Sequence, residues 1–369
     1  MATQLVSKPI VTDLSDFDAM LLKKKAPERE IWLYFLTVSA CFAVVWGHVA
    51  AEVFLNAATP FQWWIGNFTD CLTRWCMTAF IMVSGYLLLN PAKQYTYAEF
   101  YKKRAGRILI PLIFWAFFFT ALTAARHVFN GVPVTLSSFF TPILTGHPYY
   151  HLWYLYMLAG LYILTPFLKA GMRIVPSRWL TTICVMLFVI PTAVNTYSWF
   201  VLKKDFISDY PFIVWSLYFL GYYLGGYLIG KKTRIKTKTS ILVIGLATSI
   251  IITALGCYVL KENFSLFSGL YFFSPLTPNV IVMTLLFFML MKKLATPMRQ
   301  NQYMETGNTL SFGIFLVHPF WIFVLGYLGL GTTKINPLVG IPVISMTTLV
   351  LSVITAILIQ KIPYLRKVI

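Results

Sequence analysis

Apolar residues fall along this chain in long unbroken blocks, separated by short polar or basic connections. A block of about twenty such residues matches the thickness of a bilayer's hydrocarbon core, where a helix satisfies its own backbone polar groups. Ten blocks can be read, near 31–50, 74–90, 109–127, 152–170, 179–197, 212–230, 239–259, 277–294, 309–328 and 338–360. The second starts earlier if part of "FQWWIGNFTDCLT" belongs to it. The predicted fold class is all-α: a polytopic membrane bundle of about ten transmembrane helices, spanning 29–369, behind a polar tail at 1–28.

Composition agrees, since 58% hydrophobic and 11% charged residues do not suit a soluble globular protein. A net charge of +18 would point to nucleic acid in a soluble chain, but here the placement of the charges decides. Sorted by alternate connections, 24 of the 30 Lys and Arg fall on one side, which the positive-inside rule makes cytoplasmic together with both termini. Arg74, Arg126, Lys203, Lys204, Lys261 and Lys334 are assigned to the other side. Nucleic acid is therefore not an expected partner, whereas the bilayer is. The first block begins about thirty residues in and lacks a small-residue exit, so it reads as a helix of the mature protein rather than a cleaved signal. The connections at 51–73 and 128–151 carry aromatics and prolines and are expected to cover the outer mouth of the bundle.

Five cysteines show no metal-ligand spacing, and no metal is expected. Cys71 and Cys76 both fall toward the outer side, where a disulfide between them is one option. No Asp or Glu falls well inside an assigned span, which argues against a proton pump or ion channel. Imidazoles are present instead: His48, His127, His147 and His151 lie at outer span ends or outer loops, and His318 lies mid-span. Desolvation disfavours an imidazolium, and a neutral imidazole accepts a proton from a hydroxyl, which is general-base chemistry. His48 has two readings, a general base for an acceptor hydroxyl or an interfacial histidine bonded to a neighbouring helix. Thr37 precedes it by three helical turns on the same face, with Tyr34 and Cys41 close to that line.

Five segments, in order, carry a resemblance to a known family: "VVWGHV", "FIMVSGYLL", "FYKKRAGRILIPLIFW", "YYHLWYLYMLAGLYILTPFL" and "SFGIFLVHPF". Together they cover roughly 29–325, and the chain resembles the acyltransferase-3 family of bacterial integral-membrane O-acyltransferases. The nearest likeness is to members acting on surface polysaccharides such as enterobacterial common antigen. The resemblance implies a multi-pass protein of the bacterial inner membrane. It would move an acetyl or succinyl group from cytoplasmic acyl-CoA, a substrate rather than a resident cofactor, to a hydroxyl of a cell-surface or lipid-linked glycan. Oligomeric state is left open.

Carried over position by position, the likeness makes His48 the catalytic base and gives Lys103, Arg104 and Arg107 to the phosphates of CoA. The competing reading is that these cations only fix topology. His151 and Trp153 are expected at the acceptor sugar, or in an interfacial aromatic belt, and His318 is expected to order the core. Ser84, beside Gly85 and Tyr86, is expected to allow close helix approach. The departure lies in the first span. Family members usually carry an arginine eleven positions before the histidine and an aspartate three earlier still, where this chain has Thr37 and Tyr34. Three explanations follow: another arginine substitutes in space, the chain is a non-catalytic glycan transporter on the same helices, or the chain has been altered. Arg29, over two turns before Thr37, is not expected to supply the missing guanidinium.

Overall fold

Helix α1 (Ile31–Leu55) is the post around which the bundle is built, with Trp32, Leu36, Ala40, Val44 and Val49 all buried against neighbouring helices. The computed structural model describes residues 30–90, 95–204, 211–298, 302–331 and 336–369. The expected tail at 1–28, and with it Arg29, lies outside the described residues. The following elements are α2 (Pro60–Cys71), α3 (Cys76–Leu88), α4 (Tyr97–Phe129), α5 (Leu136–Thr145), α6 (Trp153–Ile174) and α7 (Ser177–Tyr197). The second half holds α8 (Phe212–Tyr218), α9 (Leu220–Gly230), α10 (Thr239–Asn263), the single turn α11 (Leu266–Gly269), α12 (Pro278–Ala295), α13 (Gln302–Tyr327) and α14 (Pro337–Lys361). Among the described residues nine spans are long and apolar enough to cross a membrane, and α8 with α9, bent by 41°, makes a tenth. Every block read from hydropathy has its counterpart.

Local chemistry sets the helix starts. Thr59 accepts from the Gln62 N–H ahead of Pro60, Thr96 and Glu99 form a capping box, and Thr135 caps α5. Helix α1 packs against α2, α3, α12, α13 and α14. The closest crossing is α3 on α9: a Cβ on Gly85 would sit 1.8 Å from the Tyr223 carbonyl oxygen, and one on Gly226 would sit 2.0 Å from that of Met82. After α14 the chain turns back, buries Val368, and its carbonyl accepts from Trp115 Nε1 at 2.9 Å.

Four expectations need correction. The second span runs from Pro60 to Leu88, so most of the supposed outer connection 51–73 is helix inside the bundle, while 128–151 contains the exposed helix α5. Arg74, assigned by charge sorting to the outer side, lies fourteen residues from either end of that span, at mid-depth. An acid does lie within a span, since Asp70 shares this helix and is buried. The reason is the same for all three: one acid, one arginine and a broken turn depress local hydropathy enough to hide half a helix. Fourth, Cys71 and Cys76 are free, buried thiols with no disulfide between them.

Candidate functional site

Helix α1 continues to Leu55, so His48 lies seven residues inside it, about 10 Å below its outer end. At that depth three imidazoles meet. The His48 ring stacks on His318 of α13 with centroids 5.3 Å apart, and His318 in turn lies 5.6 Å from His151, from the turn ahead of α6. Tyr150 meets His48 edge-on at 4.8 Å, while Phe119 and Phe315 flank His151 at 5.0 and 5.4 Å. His318 Nδ1 pairs with the Ile314 carbonyl at 3.2 Å, which fixes that ring along its own helix. Accessibility separates the three, since His151 is 1% and His318 0% exposed whereas His48 is only half-buried. Among the described residues, both ring nitrogens of His151 and Nε2 of His318 have no hydrogen-bond partner. Buried polar atoms rarely lack one, so this cluster is organised for more than packing.

Next to His48 lies the break between α2 and α3. Residues 72–75 leave the helix, and the Thr73 hydroxyl and Trp75 indole N–H, each donating at 2.8 Å to Asp70 and Leu72 carbonyls, satisfy backbone groups exposed there. Irregular backbone at membrane depth persists only where protein or a cavity covers it. Arg74 emerges from this break, ion-paired to Asp70, with its guanidinium carbon 4.0 Å from the Phe273 ring centroid and within electrostatic reach of His48. Gly47 makes the approach possible: a Cβ there would lie 2.5 Å from Thr73 Oγ1 and 3.3 Å from Thr73 Cβ. Gly47→Ala is therefore expected to push α1 off the break and cut activity at least about tenfold, with Tm lowered by a few degrees. Parallel activity and melting measurements check this.

Two cavities matter for substrate access. An outer one of about 440 Å³ is lined by Asp70, Arg74, His147, Trp153, Trp199 and Phe273 among others. A second, of about 270 Å³, lies toward the other end of the bundle and is lined by Tyr95, Phe100, Thr165, Lys169 and Arg173 among others. They share no lining residue. Along α6, Thr165 lies twelve residues from the first residue Trp153, about 18 Å, with Leu155, Leu158 and Leu161 buried between them.

Of the residues singled out from the sequence, His48, His151 and His318 converge, and Trp153 lies one turn away in the outer cavity wall. His151 does not share that wall; it is enclosed by aromatics. Arg104 is half-buried, its guanidinium 5.7 Å from both the Phe100 and Tyr162 ring centroids, but Lys103 and Arg107 are exposed. The Thr37 hydroxyl donates back to the Leu33 carbonyl at 2.7 Å, Tyr34 is buried, and Ser84 is half-buried beside the Gly85 crossing. Sequence reading missed Asp70, Arg74, His147, Trp199, Lys169 and Arg173. For the first two a signal existed: an acid and an arginine at i,i+4 within an otherwise apolar stretch.

No curated protein and no solved structure matches this chain. The family comparison does match, over residues 31–357, to the acyltransferase domain of acyltransferase-3 proteins, which takes in all ten spans nearly end to end and every residue of the histidine cluster. A ten-span bundle with an accessible intramembrane imidazole, matched over that length, makes this chain a member of the acyltransferase-3 family, a membrane acyltransferase.

Proposed function

We propose that this acyltransferase takes an acyl group, acetyl or succinyl, from acyl-CoA on the cytoplasmic side and transfers it to a hydroxyl of a surface or lipid-linked glycan. The acceptor enters from the outer side, in the inner membrane of a bacterium. The observation that carries this reading is the half-buried His48 ring, packed on His318 and Tyr150 one helical turn before Ala51, which lines the outer cavity together with Trp153 and Trp199. Indole faces stack on sugar rings, and a neutral imidazole takes the proton of a sugar hydroxyl as its oxygen attacks. The C–O bond forms at the thioester carbonyl and the π pair moves to oxygen. Collapse then breaks the C–S bond, and the leaving thiolate recovers the proton from His48. Holding both substrates in one cleft supplies much of the rate.

On the cytoplasmic side, Lys169 and Arg173 in the smaller cavity, with Arg104 close by on Phe100, form a cationic recess suited to a diphosphate. Because buried leucines separate this recess from His48, the thioester arm arrives only if helices around α6 part. Lys169→Ala and Arg173→Ala are each expected to raise KM for acyl-CoA about tenfold with kcat little changed. Steady-state kinetics check this, and an unchanged KM would move the donor elsewhere.

The deciding experiment incubates purified protein in liposomes with labelled acetyl- or succinyl-CoA and a glycan acceptor, for the wild type, His48→Ala and Thr37→Arg. Label reaching the glycan only with His48 intact supports the reading. Glycan crossing the membrane unlabelled in all three proteins replaces it with a transporter.

A further inference from the structure

A charged pair in the middle of a membrane helix is costly, and a buried ion pair is a poor source of stability. Asp70 and Arg74 form such a pair at mid-span, so a role beyond holding helices together is worth seeking. Several observations point one way. Arg74 and Asp70 both line the outer cavity, and the Arg74 side chain keeps about a quarter of its surface accessible, at 27%, against 3% for Asp70. The carboxylate thus engages one terminal nitrogen of the guanidinium, and the accessible part of the side chain lies outside that pairing. Arg74 Nε is buried without a hydrogen-bond partner among the described residues. The Phe273 ring lies 4.0 Å from the guanidinium carbon and holds its plane, and Gly47 brings the whole break against the turn of α1 that carries His48. Thr37, by contrast, is eleven residues below His48, about 16 Å along the axis, with its hydroxyl spent on its own helix.

We propose that Arg74, oriented by Asp70, is an anion-stabilising catalytic residue of the outer cavity, holding the oxygen that becomes negative when the acceptor hydroxyl, deprotonated by His48, adds to the acyl carbonyl. This rests on the acyl-transfer reading above. A preorganised guanidinium at low dielectric, facing the carbon under attack, is worth far more to a transient oxyanion than to a neutral ground state. Its partner Asp70 is a positioning residue: it fixes the fork and keeps the charge from being stranded before substrate arrives. The arrangement also assigns a guanidinium to the site from the second span, where the first span has none.

The test uses the full-length protein with Arg74→Gln and Arg74→Lys and two readouts. In labelled-acyl transfer, Arg74→Gln is expected to lose about 10²–10³ in kcat with KM for the donor unchanged, and Arg74→Lys about tenfold. In isothermal titration with methylphosphonate, a tetrahedral anion needing no turnover, the glutamine variant is expected to bind at least about tenfold more weakly than wild type. Any phosphonate held by Lys169 and Arg173 is common to both proteins and cancels. If Arg74→Gln does not fold, Arg74→Lys, which retains the charge beside Asp70, must show both losses in smaller measure. Given an active wild type, either loss without the other, or neither, overturns the proposal: lost transfer with intact phosphonate binding marks Arg74 as a structural plug. A wild type that transfers nothing but binds phosphonate through Arg74 defeats the acyl-transfer reading and leaves the anion site standing.

Discussion

His48→Ala is expected to lower acyl transfer by about 10²–10⁴ while the protein remains folded and keeps its affinity for the donor. The size follows from what is removed: no other imidazole of the cluster replaces it, because His151 and His318 are almost fully enclosed while His48 alone retains access. Survival of the fold follows from the same fact. Truncating a half-buried ring forfeits its stacking on His318 and its edge contact with Tyr150, a loss of roughly 1–2 kcal/mol spread over a bundle held by ten spans. His318→Ala should show the opposite balance, with a larger fall in Tm, since a fully buried side chain leaves a cavity, and a smaller loss of rate. Measuring kcat, KM and Tm for both variants checks the pair of expectations. A His48→Ala protein retaining a tenth or more of wild-type turnover would show that His48 is not the base.

The second large effect is structural. Gly85→Val is expected to abolish recovery of a monodisperse protein. Its Cβ alone would fall 1.8 Å from the Tyr223 carbonyl oxygen, and one turn further along α9 Gly226 holds the same two helices backbone to backbone at Met82. Backbone meeting backbone yields no rotamer relief, so α3 and α9 must separate, opening Tyr222 and Tyr223, both fully buried, and breaking the 2.7 Å hydroxyl pair of Tyr223 with Thr165. A loss of more than about 4 kcal/mol is expected, beyond what a membrane bundle of ordinary stability survives. Gly326→Ala is the matched control, since nothing lies within 4 Å of a Cβ there. Size-exclusion profiles and thermal melts in detergent distinguish the two. A well-folded Gly85→Val protein would mean that the α3–α9 crossing is looser than described.

These two residues also show what could be read early and what could not. Gly85 sits in "VSGYLL", a small residue among apolar ones, which is the ordinary mark of close helix contact in lipid. The helix it meets was not legible there. His48 was legible as a polar side chain in an apolar run, because a polar group in hydrocarbon needs a reason. Its partners were not, since Tyr150, His151 and His318 are about 100 and 270 residues further along and no local pattern encodes that encounter. Arg74 was visible and misplaced. Counting cations by connection treats every charge near a span end as lying outside it, and a helix with a polar break does not announce where it begins.

Hydropathy summed along the chain determined the ten spans and their order, because each helix in lipid satisfies its backbone by itself and needs no neighbour to be recognised. Depth, facing and convergence were left to the tertiary structure: the break at 72–75, the Asp70–Arg74 pair beside His48, and the split between an aromatic outer cavity and a cationic inner recess. Helix association in a membrane is decided by side-chain fit and polar contacts between distant segments rather than by apolarity, which every span shares. The chemistry of this protein therefore depends on packing, while its architecture depends on composition.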